Sequence, residues 1–131
     1  MVALLKCFKY KKYYSVLCEL YSPILDKWFK IRFIIDSGFS GDVFLRRKLY
    51  DSLKLNLVES ASPYSFSAKT IVGSIPLRAS RSRIRIKDNV FDVKIYTPVF
   101  GYGENLLGRG VLEKLITILY RNKKACVKLT S

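Results

Sequence analysis

Five short runs rich in β-branched and aromatic residues, each bounded by turn chemistry, constrain this chain more than any other feature: Tyr13–Tyr21, Trp28–Ile35, Ile71–Leu77, Arg81–Lys87 and Val90–Thr97. Runs of this length and composition read as strands. Ser22-Pro23 with Asp26-Lys27 suits a hairpin loop between the first two, and Asp88-Asn89 a tight turn between the fourth and fifth. Two stretches read as short helices: Arg46–Leu55, where Leu49, Leu53 and Leu55 recur, and Gly110–Leu115, which precedes a final hairpin of Ile116–Tyr120 and Ala125–Leu129. Sequential antiparallel strands with hardly any helix predict an all-β single domain over residues 1–131, a small barrel or sandwich.

Histidine is absent. That removes Ser-His-Asp and Cys-His nucleophile pairs, two-histidine zinc sites and Cys2His2 fingers together. Cys7, Cys18 and Cys126 are odd in number and show no C-x-x-C spacing, so three reduced, mostly buried thiols are expected, with no metal and no cofactor. The apolar run Met1-Val2-Ala3-Leu4-Leu5 is broken by Lys6 and Lys9, too short for a signal peptide core or a membrane span, and a soluble cytoplasmic protein follows as the default. The net charge of +14 would draw anionic partners.

Asp36 closes the apolar strand Phe33-Ile34-Ile35 and runs into Ser37-Gly38-Phe39-Ser40-Gly41. A carboxylate delivered from a buried strand into a tight turn costs free energy unless it is hydrogen bonded or shares a proton, and the glycine admits close backbone approach. On its own the segment reads as an ordinary strand-end turn. A second element, Asn105-Leu106-Leu107-Gly108-Arg109, again runs an apolar pair into glycine, seventy-two positions after Asp36.

The two elements together, in this order and spacing and in a β-rich chain of this length, resemble the retropepsin-like aspartic proteases, over roughly residues 14–129. The resemblance implies an acid-protease single lobe: a small closed barrel of short antiparallel strands, a flap hairpin and one or two short helices, working as a homodimer on a peptide or protein substrate. It implies that Asp36 is the catalytic aspartate, that Ser37 braces the paired loops, that the Gly38 carbonyl meets substrate backbone, and that Phe39 and Ser40 complete the loop. Leu106, Leu107, Gly108 and Arg109 would support it. Ser67, Ala68, Lys69, Thr70 and Ile71 would form the substrate-covering flap, with its tip near Ala68-Lys69. Two departures stand out: the flap segment has no glycine before Gly73, and the family's aspartate that pairs with the late arginine is replaced by Ser40, leaving Asp42 as the nearest partner for Arg109.

Alternation places Arg81, Arg83, Arg85 and Lys87 on one strand face. Such a row is either the solvated face of an outer strand or a weak nucleic-acid or acidic-protein contact, and the latter would suit a catalytically silent binding module on the same fold. Tyr10, Tyr13 and Tyr14 beside Lys9, Lys11 and Lys12 form a second cluster open to either reading.

Overall fold

Alternation of buried and exposed side chains runs along the strands as the sequence predicts: in Ser15–Ser22, Val16, Cys18 and Leu20 point inward while Leu17, Glu19 and Tyr21 are less buried. The computed structural model describes residues 5–59, 66–70, 73–100 and 103–129. In chain order its elements are β1 (Lys6–Lys9), β2 (Ser15–Ser22), β3 (Lys27–Ile35), β4 (Val43–Phe44), α1 (Arg47–Ser52), β5 (Phe66–Thr70), β6 (Gly73–Ile86), β7 (Asn89–Pro98), β8 (Leu106–Leu107), α2 (Arg109–Leu112), β9 (Leu115–Tyr120) and β10 (Lys124–Leu129). Single 3-10 turns cover Leu55–Val58 and Arg121–Lys123.

Strands β2, β3, β8, β4, β7 and β6 pair in that order, and β6 returns to β2 through Glu19 opposite Arg85 and Leu20 opposite Ile84, closing a six-stranded barrel. Strand β5 continues the sheet beyond β6, and β1, β10 and β9 form a separate antiparallel sheet. The barrel is not built from antiparallel hairpins alone: β3 with β8 and β4 with β7 are parallel pairs. Parallel neighbours need crossover connections, so these contacts join parts of the chain that no hairpin signal links. Gly73–Leu77 and Arg81–Ile86, which belong to two runs expected as separate strands, are continuous in β6.

Inside the barrel Phe33, Val43, Leu45, Leu53, Leu55, Ile84, Ile95, Leu107 and Val111 are all but inaccessible. Helix α1 adds Tyr50, whose hydroxyl donates to a Glu59 carboxylate oxygen at 3.1 Å, while Arg78 forks onto the same carboxylate at 2.9 Å from Nε and 2.7 Å from Nη2. Burial pushes the Tyr50 phenol well above its ordinary value. Ser22 Oγ donates to the Leu53 carbonyl at 2.6 Å and Thr97 Oγ1 to the Leu45 carbonyl at 2.9 Å, so these buried hydroxyls are satisfied while they pin the segment around α1 to the barrel.

Both predicted hairpin turns form. Ser22 pairs with Lys27, the Asp26 N–H donates to the Ser22 carbonyl at 2.8 Å, and Asp26 takes a left-handed φ of 52°. The second turn lies one residue earlier than expected: Ile86 pairs with Asn89, so Lys87 and Asp88 are its central residues, with Lys87 at φ 56°.

The thiols differ from expectation. Cys7 and Cys126 form a disulfide, with Cα atoms 4.0 Å apart. They are 119 positions apart in sequence but directly opposed in the β1–β10 register. Strand β1 carries no alternation signal, since its residues are mostly exposed, and so that register was not readable. Cys18 remains a buried thiol, pushed up to about 12 by burial. None of the described helices is long and apolar enough to cross a membrane.

A cysteine map tests this arrangement. Digestion without reductant should yield a peptide pair joined through Cys7 and Cys126, and Cys18 should resist alkylation at pH 8 until the chain is denatured, because its reactive thiolate is rare and enclosed. Rapid labelling of Cys18 in the folded protein would contradict the barrel packing.

Candidate active site

Asp36 sits where β3 ends, and the neighbouring strand fixes its position. Strand β8 runs parallel to β3 with Ile34 beside Leu106 and Ile35 beside Leu107, and the Asp36 N–H donates to the Leu107 carbonyl at 3.0 Å. The chain then turns: the Phe39 N–H donates to the Asp36 carbonyl at 3.2 Å, and the Gly38 N–H donates to Asp36 Oδ1 at 3.0 Å. The loop returns through β4, which pairs antiparallel with the other edge of β8, Val43 facing Leu107 and Phe44 facing Leu106. The two-residue strand Leu106-Leu107 therefore lies between the two ends of the Asp36 loop.

Three consecutive N–H groups after β8 hold the loop itself. Gly108 donates to the Asp42 carbonyl at 2.8 Å, Arg109 to the Phe39 carbonyl at 2.8 Å, and Gly110 to the Gly41 carbonyl at 3.1 Å. The first N–H groups of a helix lack intrahelical partners, and here the loop carbonyls serve as acceptors at the start of α2. The contact is close enough to demand glycine: a Cβ on Gly108 would lie 2.2 Å from the Gly41 carbonyl oxygen and 2.8 Å from that of Phe39. A Cβ on Gly110 would lie 1.9 Å from Asp42 Oδ1. Phe39 packs edge-on against Phe44 at 5.8 Å and Tyr96 at 5.9 Å between ring centroids, filling the space under the turn.

The structure thus brings Asp36, Gly38, Phe39, Leu106, Leu107 and Gly108 together. The carboxylate of Asp36 is partly exposed, and Ser37, Gly38 and Ser40 are exposed around it. Arg109 contributes its backbone only. Its side chain is exposed and makes no ion pair with Asp42, which instead accepts the Lys94 N–H on Oδ2 at 2.9 Å and packs against Gly110. Asp42 is thereby part of the loop's internal scaffold. Gly41, Gly110 and Tyr96 were not singled out from the sequence, although the second glycine in Gly38-Phe39-Ser40-Gly41 and in Gly108-Arg109-Gly110 was a readable sign of close backbone approach.

Strand β5 pairs with β6 as a hairpin, but its register differs from the expected tip. Ala68 pairs with Ile75 and Lys69 with Ser74, so both lie within the ladder, as do Ser67 opposite Pro76 and Thr70 opposite Gly73. The ladder reaches the first glycine of the segment, and Ile71 lies outside the described residues.

The cations of β6 do share a face, and two of them are engaged, while Arg81 is exposed. Arg85 binds Glu19 at 2.8 Å and lies 4.3 Å from the Trp28 ring, while Arg83 stands 4.4 Å from the Tyr21 ring and directly across from Asp92. The hydrogen bond from Arg85 holds the Glu19 carboxyl below its usual value.

Solved structures share this architecture. A retropepsin-like aspartic protease from Rickettsia conorii matches at a TM-score of 0.66 and 17% identity, over 93% of this chain and 97% of that one. EIAV protease, in complex with an inhibitor, matches at a TM-score of 0.58 and 14% identity, over 81% and 90% of the respective chains. The chain therefore has a retropepsin-like, all-β fold, as the sequence resemblance implied. No protein-family model matches it, and no curated protein sequence does.

The glycine contacts make a graded prediction. Gly108→Ala meets backbone on two sides and should cost about 2–3 kcal/mol, the range of a forced overpacking, lowering the melting temperature by roughly 5–10 °C. Gly38→Ala meets only the Asp36 carboxylate oxygen at 3.2 Å and should cost under about 1 kcal/mol. Equal losses in thermal melts would show that the segment after β8 does not set the loop.

Proposed function

We propose that the chain is one subunit of a homodimeric aspartic endopeptidase in which Asp36 of each copy supplies half of a carboxylate pair. The observation that carries this reading is the partly exposed Asp36 carboxylate at the end of β3, in a loop braced by Leu107, Gly108, Arg109 and Gly110 on a retropepsin-like fold. These 131 residues contain a single Asp-Ser-Gly, so on this reading a second copy supplies the other half of the pair.

The chemistry follows from placing two carboxylates within hydrogen-bond distance. Both cannot ionise, so one keeps a proton and polarises the scissile carbonyl while the other accepts the proton of the attacking water. They titrate as a pair, not as separate groups. Water adds to the carbonyl carbon, and the proton held by the pair then goes to the leaving amine, so no metal or nucleophilic side chain is required. In this proposal the Gly38 N–H, bonded to Asp36 Oδ1, keeps the carboxylate oriented, and the Asp36 backbone is fixed through Leu107. Ser37 would brace one loop against the other, Ser40 and the Gly38 carbonyl would flank the substrate backbone, and the β5–β6 hairpin, with Ser67, Ala68, Lys69, Thr70 and Ile71, would cover it.

Asp36→Asn should abolish cleavage of a peptide library while leaving the melting temperature and the dimer seen by sedimentation unchanged. Cleavage that persists in this variant would end the proposal. Wild-type activity should rise on mild acidification, since the pair must hold one proton, and a rate flat from acid to alkaline pH would contradict the shared-proton step.

A further inference from the structure

The excess of positive charge is unevenly distributed, and part of it gathers beside the proposed site, where the Ile35 N–H donates to the Tyr14 carbonyl at 3.0 Å. No acidic residue occurs before Glu19 or after Glu113, while those two end segments carry Lys6, Lys9, Lys11, Lys12, Lys114, Arg121, Lys123, Lys124 and Lys128. The fold joins them: β1 pairs with β10, placing Lys9 directly opposite Lys124, and the turn at Arg121–Lys123 adjoins Lys9, Tyr10 and Lys11 around an open cavity of about 620 Å³. Arg121, Asn122, Lys123 and Lys124 are all exposed there. The β6 face differs, because Glu19 and Asp92 lie among its arginines.

Aromatic rings lie among these cations. Tyr10 and Tyr13 stack at 6.2 Å with planes 19° apart, and the Arg32 guanidinium lies 4.5 Å from the Tyr10 ring. Tyr13 is 41% exposed. Lys123 stands 5.3 Å from the Tyr14 ring and Lys124 5.2 Å from that of Tyr120, and the Tyr14 hydroxyl ties the two parts together by donating to the Tyr120 carbonyl at 2.6 Å. Among the described residues, Glu104 lines the adjoining cavity with Tyr10, Tyr13 and Arg32.

We infer that this end of the molecule, formed by residues 9–14 and 120–124, binds single-stranded nucleic acid. Phosphates would lie along Lys9, Lys11, Lys12, Lys123 and Lys124, and a base would stack on Tyr13. Backbone neutralisation by lysines combined with sequence-tolerant stacking on aromatic rings is the chemistry of single-strand binding. A lipid surface would use the charge but has no need of near-parallel rings, and a duplex keeps its bases stacked on one another, away from Tyr13.

The test is fluorescence anisotropy of a labelled oligothymidylate of about 15 nucleotides, titrated with the full chain at several salt concentrations. Binding should weaken as salt rises, with log K falling by about 0.7 per phosphate contact for each unit of log salt. The triple variant Lys11→Gln, Lys12→Gln, Lys123→Gln should bind at least about tenfold more weakly and with a shallower salt slope. Tyr13→Ala should lose about tenfold with the slope unchanged, a loss that charge alone does not predict. Arg81→Gln with Arg83→Gln should change binding less than the lysine variant. No binding at about 50 mM salt, a larger loss from the arginine pair, or a Tyr13→Ala protein that binds like wild type would each overturn the inference. So would anionic phosphatidylserine vesicles that compete as well as unlabelled oligonucleotide. The readout does not involve peptide cleavage, so failure here leaves the protease reading standing.

Discussion

The arrangement around Asp36 depends on three hydrogen bonds from Gly108, Arg109 and Gly110 to the carbonyls of Asp42, Phe39 and Gly41. Each contributes only about 0.5–1.5 kcal/mol net, but the asymmetry matters more than the mean. If the loop moved away, the N–H groups at the start of α2 and the loop carbonyls would lose partners together. The same segment places Leu107 between β3 and β4, so the barrel closes only when the loop is seated. Closure and positioning of the carboxylate are therefore one event, and a side chain on Gly108 would obstruct both.

What the sequence made legible were the features whose physics is local. The hairpin at Ser22–Lys27 is announced by proline and aspartate, and the long strands by their β-branched and aromatic residues. Asp36 and Leu106-Leu107-Gly108 could be linked across the chain because their order and spacing resemble a known pattern. What stayed hidden depends on register between distant segments. Two-residue strands such as β4 and β8 are too short to carry a period. Cys7 and Cys126 become partners only once β1 lies on β10. Asp42 was matched to Arg109 as the carboxylate that follows the Asp36 loop most closely in sequence, yet the parallel pairing of β4 with β7 brings the Lys94 N–H to its carboxylate instead. The flap tip was placed at Ala68-Lys69 by correspondence with the family's flap, while the ladder continues to Gly73.

Charge shows the same division between composition and placement. The alternating cations of β6 were visible in sequence, but the Glu19 carboxylate and the Tyr21 and Trp28 rings that engage them come from β2 and β3. That face gains packing and ion pairing from its arginines, which suits a structural role. The lysines near the chain ends lack comparable carboxylates in their own segments, and the β1–β10 pairing concentrates them. Like charges held together are costly unless solvent or an anion screens them. A cluster of this kind is informative because the β1–β10 pairing brings like charges together, whereas on β6 the Glu19 carboxylate offsets Arg85.

The fate of the second loop carboxylate bears on the proposed chemistry. Between β3 and β4 the chain carries two aspartates, Asp36 and Asp42. Asp42 accepts the Lys94 N–H and lies so close to Gly110 that no side chain fits there, so it serves the loop's own structure. Among the described residues the Asp36 carboxylate accepts the N–H of Gly38, two residues away, and Asp36 remains partly exposed. On the proposed mechanism the carboxylate that shares its proton must then come from a second copy. A two-fold axis would meet that need directly, because an isologous contact sets each residue near the axis beside its own equivalent. On that mechanism the bracing of the loop would serve more than stability, because a carboxylate already held in place loses less freedom when it comes to share a proton with its equivalent.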